Sequence, residues 1–478
     1  MGSEWPLVKL GEYCCKIGSG ATPKGGSSVY LDAGDVCLIR SQNIYNDGFE
    51  EGGLVYIDEV AAAKLRNVIV EHNDILLNIT GDSVARVCLV PDAYLPARVN
   101  QHVAIIRPNK EHFDARFLRY FLASPKTQIL LLNLSSAGAT RNALTKSMIE
   151  NFEVPKPSLS VQVFIANILQ ILDDKIMKNR QINQTLEQMA QTLFKSWFVD
   201  FDPVVDNALD AGFFEQNLAF SDELLRRVEI RKTVRKSDNF KPLSEDIRQL
   251  FPNTFEECAE SALGLGGWVP KGWKVKMLGE ITDELRRGIS PKYIEEGGIQ
   301  VINQKCIRNH EISYELTRRH NQEIRSISGR ELNIGDVLVN STGVGTLGRI
   351  AQVTSLPETT VVDSHVTVVR ASDEMCPIFT FGQLMISMEK NIERLGEGST
   401  GQTELSRKIL SEQLVILPPR NIAVKAEVSF KSFSEMQTAN RNQNTELAKL
   451  RDTLLPKLIS GELSLSNIKI DIPEETLI

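Results

Sequence analysis

The sequence predicts an α+β protein in which two related mixed α/β modules stand in tandem. Each is followed by a long helix whose apolar stripe makes a coiled-coil seam. Three observations predict it: an internal repeat, short Val/Ile runs broken by Gly, Asn and Asp within each copy, and an extended 3,4-spaced apolar stripe after each copy.

The repeat is read first. Trp5 is followed five residues on by Leu10-Gly11-Glu12, and Trp273 five residues on by Leu278-Gly279-Glu280. Ala21-Thr22-Pro23-Lys24 and Ile289-Ser290-Pro291-Lys292 keep the same offset of 268. Asn73–Asn78 answers Gly335–Asn340 at 262, and Gln101–Arg107 answers Ser364–Arg370 at 263. Each copy holds a helical stretch, around Phe113–Leu132 and Phe379–Leu395, and closes on an apolar strand ending in proline, Phe152–Pro155 and Val415–Pro418.

Two long helices are expected from about Val161 to Trp197 and from about Ile422 to Leu458. Ile165, Ile168 and Leu172, then Ile182, Leu186, Met189 and Leu193, form one seam; Phe433, Met436, Leu447, Leu450 and Leu454 form the other. About 37 residues at 1.5 Å each make a rod of roughly 55 Å. Polar residues interrupt both seams at mid-length, Lys175 and Asn179 in one, Asn440 and Gln443 in the other. An antiparallel pair sets midpoint against midpoint, so Asn179 is expected to face Asn440 and fix the register; the alternative is two unrelated solvated asparagines. The division that follows is residues 1–158 for module one, 159–199 for the first long helix and 200–268 for an acidic connector. Residues 269–420 form module two, 421–463 the second long helix and 464–478 a C-terminal tail.

Composition narrows the function classes. The 478 residues are 42% hydrophobic and 24% charged, an ordinary globular balance. Hydropathy predicts no membrane span, and no secretory leader is expected from Met1–Leu10. The seven cysteines are scattered and odd in number, which reads as reduced, cytoplasmic thiols. Of the net charge of −7, residues 200–269 alone contribute 14 acidic against 8 basic side chains. Residues 1–199 are balanced at 20 each, and residues 270–420 at 19 each, so either module can still present a basic face.

Two α/β modules, each followed by a long helix, resemble the specificity (S) subunit of type I restriction–modification systems. The helix ends carry the resemblance: Leu193-Phe194-Lys195-Ser196-Trp197-Phe198-Val199-Asp200-Phe201-Asp202-Pro203 and Leu454-Leu455-Pro456-Lys457-Leu458-Ile459-Ser460-Gly461-Glu462-Leu463. The module entry Val269-Pro270-Lys271-Gly272-Trp273 adds to it, and the likeness covers nearly the whole chain. The resemblance implies a non-catalytic protein in a prokaryotic cytoplasm. It implies two target-recognition domains that each read one half of a split, asymmetric duplex DNA site, with a gap of about one helical turn set by the helices, which pair as an antiparallel coiled coil. It implies two methyltransferase (M) subunits docked on the helices, and restriction (R) translocase/nuclease subunits joining them. S-adenosylmethionine, ATP and Mg are expected on those partners and no cofactor or metal on this chain. Phe194, Trp197, Phe198, Leu454 and Leu458 are expected to dock those subunits, with Phe194, Trp197 and Phe198 exposed. The connector has no counterpart in copy one, and Ser221–Lys236 within it reads as a helix beside module two.

Arginine on guanine edges, and Asn or Gln on adenine edges, are the expected base readers. Module two has the densest set: Arg286, Arg287, Asn303, Gln304, Lys305, Arg308, Arg318, Arg319, Arg325 and Arg330. Module one has Lys24, Arg40, Gln42, Asn43, Arg86, Arg98 and Arg141. An isolated arginine is as readily a salt-bridged surface residue. Features shared by both copies cannot encode two different half-sites, so Asn78–Gly81 and Asn340–Gly343 are read as scaffold or phosphate contacts, and His102 and His365 as packed core or hydrogen-bonded scaffold.

Enzyme readings fail on their motifs. Gly343-Val344-Gly345-Thr346-Leu347-Gly348 spells a dinucleotide fingerprint, but Arg349–Val353 behind it reads as a strand where a helix is required. There is no Asn/Asp-Pro-Pro-aromatic tetrapeptide of an adenine methyltransferase, no P-loop and no zinc-ligand spacing. The remaining rival is a two-module protein-binding adaptor with a coiled-coil spacer.

Overall fold

A computed structural model describes residues 5–136, 142–260, 262–396 and 404–463; the tail 464–478 lies outside the described residues. It divides into two compact units, residues 1–179 with 442–478, and residues 180–441. Each unit therefore holds one module together with part of both long helices.

In the first unit, the entry strand Leu7–Lys9 pairs antiparallel with the exit strand Glu153–Pro155, closing module one on itself. Between them lie two four-stranded sheets. One runs Cys14–Ser19, Val103–Pro108, Ile75–Asn78, Val87–Leu89, all antiparallel. The other runs Val55–Ile57, Val36–Ile39, Ala97–Val99, Ile69–Val70, with Val36–Ile39 and Ala97–Val99 parallel. The strand Ile75–Asn78 is apolar without alternation because both faces are covered. Ile75 and Leu77 pack with Phe117 and Leu118 of the helix Ala115–Ala123, while Leu76 packs with Leu38 and Val99 of the other sheet. Asp114 caps that helix by accepting the backbone N–H groups of Arg116 and Phe117.

In the second unit, module two repeats the plan. Its first sheet runs Thr282–Arg287, Val366–Ala371, Val337–Asn340, Ile350–Gln352, and Lys274–Met277 pairs with Leu414–Leu417 as the closing strands. In the second sheet Arg318–His320, Ile299–Ile302 and Thr360–Val362 match their counterparts strand for strand, again with one parallel pair. The fourth strand differs: Tyr293–Ile294 flanks Arg318–His320, on the opposite edge from the extra strand of module one.

The repeated sequence motifs are repeated ion pairs and turns. Arg107 reaches the buried carboxylate of Asp74 at 2.7 Å, and Arg370 that of Asp336 at 2.7 Å, each tying a central strand to the turn before its neighbour. Gly20 and Gly288 mark where the chain leaves the first sheet. A Cβ on Gly20 would lie 2.1 Å from the Val99 carbonyl oxygen, and one on Gly288 2.2 Å from that of Asp363, so only glycine fits.

The long helices are Leu159–Phe194 and Arg420–Ile459, the latter holding Pro456 in its last turn. The first passes into a π-helical turn, Lys195–Val199, instead of ending. Within each unit the two helix segments run antiparallel. In the first, Asp173 bonds Arg451 at 2.9 Å and Asn179 bonds Gln443 and Asn444 at 2.8 and 2.9 Å. In the second, Asn183 bonds Asn440 at 2.8 Å and the rings of Phe194 and Phe430 lie 6.2 Å apart. The expected Asn179–Asn440 pair is thus corrected: each asparagine amide has other polar partners, because the register is offset by about one turn.

The connector folds as part of the second unit. Ser221 caps the helix Asp222–Arg235, as the sequence suggests. Its basic run faces the helix Asp202–Asp210, pairing Arg227 with Asp202, Arg231 with Asp206 at 2.7 Å and Arg235 with Asp210 at 2.5 Å. The four-residue spacing on both helices places one rung per turn. Phe194, Trp197 and Phe198 are 5 to 6% exposed and pack with Phe201, Phe251 and Trp273. Leu458, 1% exposed, and Leu454 pack with Ile165, Ile168 and Leu169 in the first unit. The expectation that Phe194, Trp197 and Phe198 are exposed is corrected: Phe194 packs on Phe430 of the second long helix, Trp197 on Phe251 of the connector and Phe198 on Trp273, while Leu454 and Leu458 pack on the first long helix.

Candidate nucleic-acid interface

Hydrogen bonds between strands draw four loops together at one end of each module. In module one Gly20 N–H donates to Val103 O at 2.8 Å, Asn100 N–H to Ile39 O at 3.1 Å, Ile79 N–H to His102 O at 2.9 Å, and the Asn78 amide to Ser41 O at 2.8 Å. Module two reproduces the set: Gly288 to Val366 at 3.1 Å, Asp363 to Ile302 at 2.9 Å, Ser341 to His365 at 2.9 Å, and the Asn340 amide to Gln304 O at 3.0 Å. The shared histidines are hydrogen-bonded parts of this scaffold, His102 to Thr80 at 2.6 Å and His365 to Thr342 at 2.8 Å.

Several side chains proposed as readers have partners within the module, and the expectation is corrected for Arg286 and Asn43, which are buried. Arg286 is 9% exposed and bonds Glu284 at 3.1 Å. Arg287 bonds Glu404 at 2.9 Å and Leu405 O at 2.7 Å. Asn43 is fully buried, closing its own turn by bonding Glu50 O at 2.8 Å. Arg98 bonds Ala97 O and Ala62 O, and Asn303 caps the turn at Lys305 while bonding Leu316 O. Arg319 pairs with Glu358 at 2.7 Å, and Arg325 bonds Ser290 O at 3.0 Å. Each of the others spends at least one donor on a local acceptor.

Other candidates stay at the surface. Lys24 and Gln42 in module one, and Lys305, Arg308, Arg318 and Arg330 in module two, are exposed. Gln304 is half-buried, its amide oxygen 3.5 Å from Thr342. Three of the candidate guanidinium groups lie over tyrosine rings: Arg40 over Tyr30 at 5.4 Å, Arg86 over Tyr45 at 4.5 Å and Arg318 over Tyr293 at 3.4 Å. Arg40 also donates to Gly53 O. Arg141 lies outside the described residues. The tyrosines were missed in the sequence, although Tyr30 and Tyr293 keep the offset of 263 seen in the matched strands.

Module two is held to the first long helix by His310. This side chain donates to Glu187 of the helix at 3.1 Å and to Glu389 at 2.9 Å. These two carboxylates raise its pKa to about 9 against the opposing effect of burial. Burial pushes Glu187 and Glu389 up, but hydrogen bonds from His310 outweigh it and leave both below the usual range. In the first unit the corresponding tie is Asp173, which accepts from Arg119, Tyr120 and Arg451.

Among the described residues no cluster of His, Cys, Asp or Glu is arranged to hold a metal, and no helix is long and apolar enough to cross a membrane.

The type I restriction modification DNA specificity domain model matches residues 2–188 and 270–449, once in each half. The chain is 27% identical over 389 residues to the type I restriction enzyme HindI specificity subunit of Haemophilus influenzae, covering 76% of this chain and 81% of the relative. It is 25% identical over 476 residues to the MjaIX specificity subunit of Methanocaldococcus jannaschii, covering 97% and 95%. The fold is similar to that of the type I restriction–modification S subunit from M. genitalium, at a TM-score of 0.53 and 14% identity over 95% of this chain and 96% of that one. With the family model matching both halves of a tandem fold, the chain belongs to the DNA specificity subunits of type I restriction–modification systems, non-catalytic DNA-recognition proteins.

Proposed function

We propose that each module reads one half of a split, asymmetric DNA site through its four-loop end, and that the paired helices set the gap between the halves. One observation carries this reading: the same loop scaffold is built twice, yet the side chains it displays differ at matched positions. Gln42 stands where module two has Lys305, Tyr45 where it has Arg308, and Val55 where it has Arg318. A common scaffold with divergent side chains at matched positions is what two unlike half-sites require. Methyltransferase subunits dock on the outward faces of the helices, where Ile171, Met177, Met189 and Val428 are exposed, and restriction subunits join that assembly. S-adenosylmethionine, ATP and Mg belong to those partners, in the cytoplasm.

The test is a gel shift of the chain bound to its methyltransferase partner, with salt titration. Affinity that falls steeply with salt supports phosphate neutralisation. Absence of salt-sensitive DNA binding in that complex refutes the reading and favours a protein-binding adaptor.

A further inference from the structure

Tyr30 and Tyr293 occupy the same place in the two modules. Leu31 bridges Tyr56 just after Tyr30, and Ile294 pairs with Arg319 just after Tyr293, all at the offset of 263. Both rings are half-buried and both carry a guanidinium on one face. The arginines, however, are not matched. Arg40 follows the central strand Val36–Ile39, where module two has Asn303, whereas Arg318 opens the strand Arg318–His320, where module one has Val55. The platform is common to both copies, and its cation arrives from a different strand in each.

Arg318 is also exposed and held over a ring, whereas Arg325, likewise exposed, spends a donor on the Ser290 carbonyl. Arg286, Arg287 and Arg319 are bound to carboxylates, while among the described residues Arg318 forms no ion pair. Asp363, the nearby acid, accepts the His365 N–H at 2.9 Å and lies 3.5 Å from the Tyr293 hydroxyl. A guanidinium confined over a ring is restricted in place without a carboxylate taking up its N–H donors, which suits it to a bidentate acceptor. Holding the side chain in place beforehand also lowers the ordering cost of binding.

We infer that Arg318, stacked on Tyr293, is the base-reading arginine of module two and takes the O6/N7 edge of a guanine in the major groove, with Tyr293 as its positioning residue. This rests on the proposal that the modules bind duplex DNA.

The test uses the chain assembled with its methyltransferase partner, reading the methylated-adenine motif by sequencing and affinity by salt-titrated binding. Arg318→Lys keeps the charge and loses the fork. It is expected to lower discrimination at one G·C pair of one half-site by about 10- to 100-fold and to leave the other half-site unchanged. Tyr293→Leu is expected to relax the same pair to a smaller extent, and Tyr293→Phe to restore it. The intact second half-site reports that each variant is folded. An unchanged motif overturns the inference, as does uniform weakening at both half-sites with a salt slope lower by about one, the mark of a phosphate contact. Wild-type assembly without salt-sensitive binding would sink the DNA reading itself, an outcome separate from failure of Arg318 alone.

Discussion

Replacing His310 by Gln keeps one hydrogen bond and removes the charge that holds module two to the first long helix. In the folded chain the imidazole is flanked by Glu187 and Glu389, with Gln191 beside it and Arg349 acting on Glu389. Its side chain is 21% exposed, so solvent screening is modest. A rise from 6.5 to about 9 corresponds to about 3 kcal/mol of stabilisation by the charged form. Because the folded-state pKa is raised, that stabilisation is fully present below about 6.5 and fades as pH climbs through about 9. Urea unfolding of the full chain at pH 6.5 and at pH 9.5 measures it. Wild type should exceed H310Q by about 3 kcal/mol at the lower pH, and the gap should shrink by most of that at the higher. Other titrating groups are common to both proteins and cancel in the difference. A gap of the same size at both pH values would refute the reasoning, since it would mean His310 contributes through packing and not through its charge.

Three further outcomes are expected. Asp173→Ala leaves Arg119, with a side chain 9% exposed, without its carboxylate; it should cost about 3–5 kcal/mol in the unfolding free energy of the full chain. Phe198→Ala should destabilise the free chain by about 3–5 kcal/mol in the same assay; an unchanged free chain with weakened methyltransferase binding would restore the docking role. Inserting seven residues into each long helix, after Met177 and after Asn442, adds about 10 Å of helix. The recognised spacer should lengthen by about three base pairs or recognition should fail, and an unchanged methylation motif would count against a ruler.

Glu187 and Glu389 illustrate why part of the site was hidden. They are separated by 202 positions and no periodicity links them, yet His310 brings both within hydrogen-bonding distance. The same holds for Arg287 with Glu404 and Arg319 with Glu358, which look free in the sequence and are neutralised in the fold. Conversely, the scaffold role of His102 and His365 was legible because both copies repeat the histidine, although its partners Thr80 and Thr342 were found only in the fold.

From the amino-acid sequence alone came the tandem modules, the long helices, the strand behind Gly348 and the family. Those signals are local or periodic: apolar residues recur at the spacing of the element they form, and duplication copies the spacing. Tertiary structure alone decided which cations are free, which polar seam residues meet and whether Phe194, Trp197 and Phe198 face solvent. Burial and pairing depend on groups brought close by folding, and a charge or an aromatic ring carries no mark in the sequence of what will cover it.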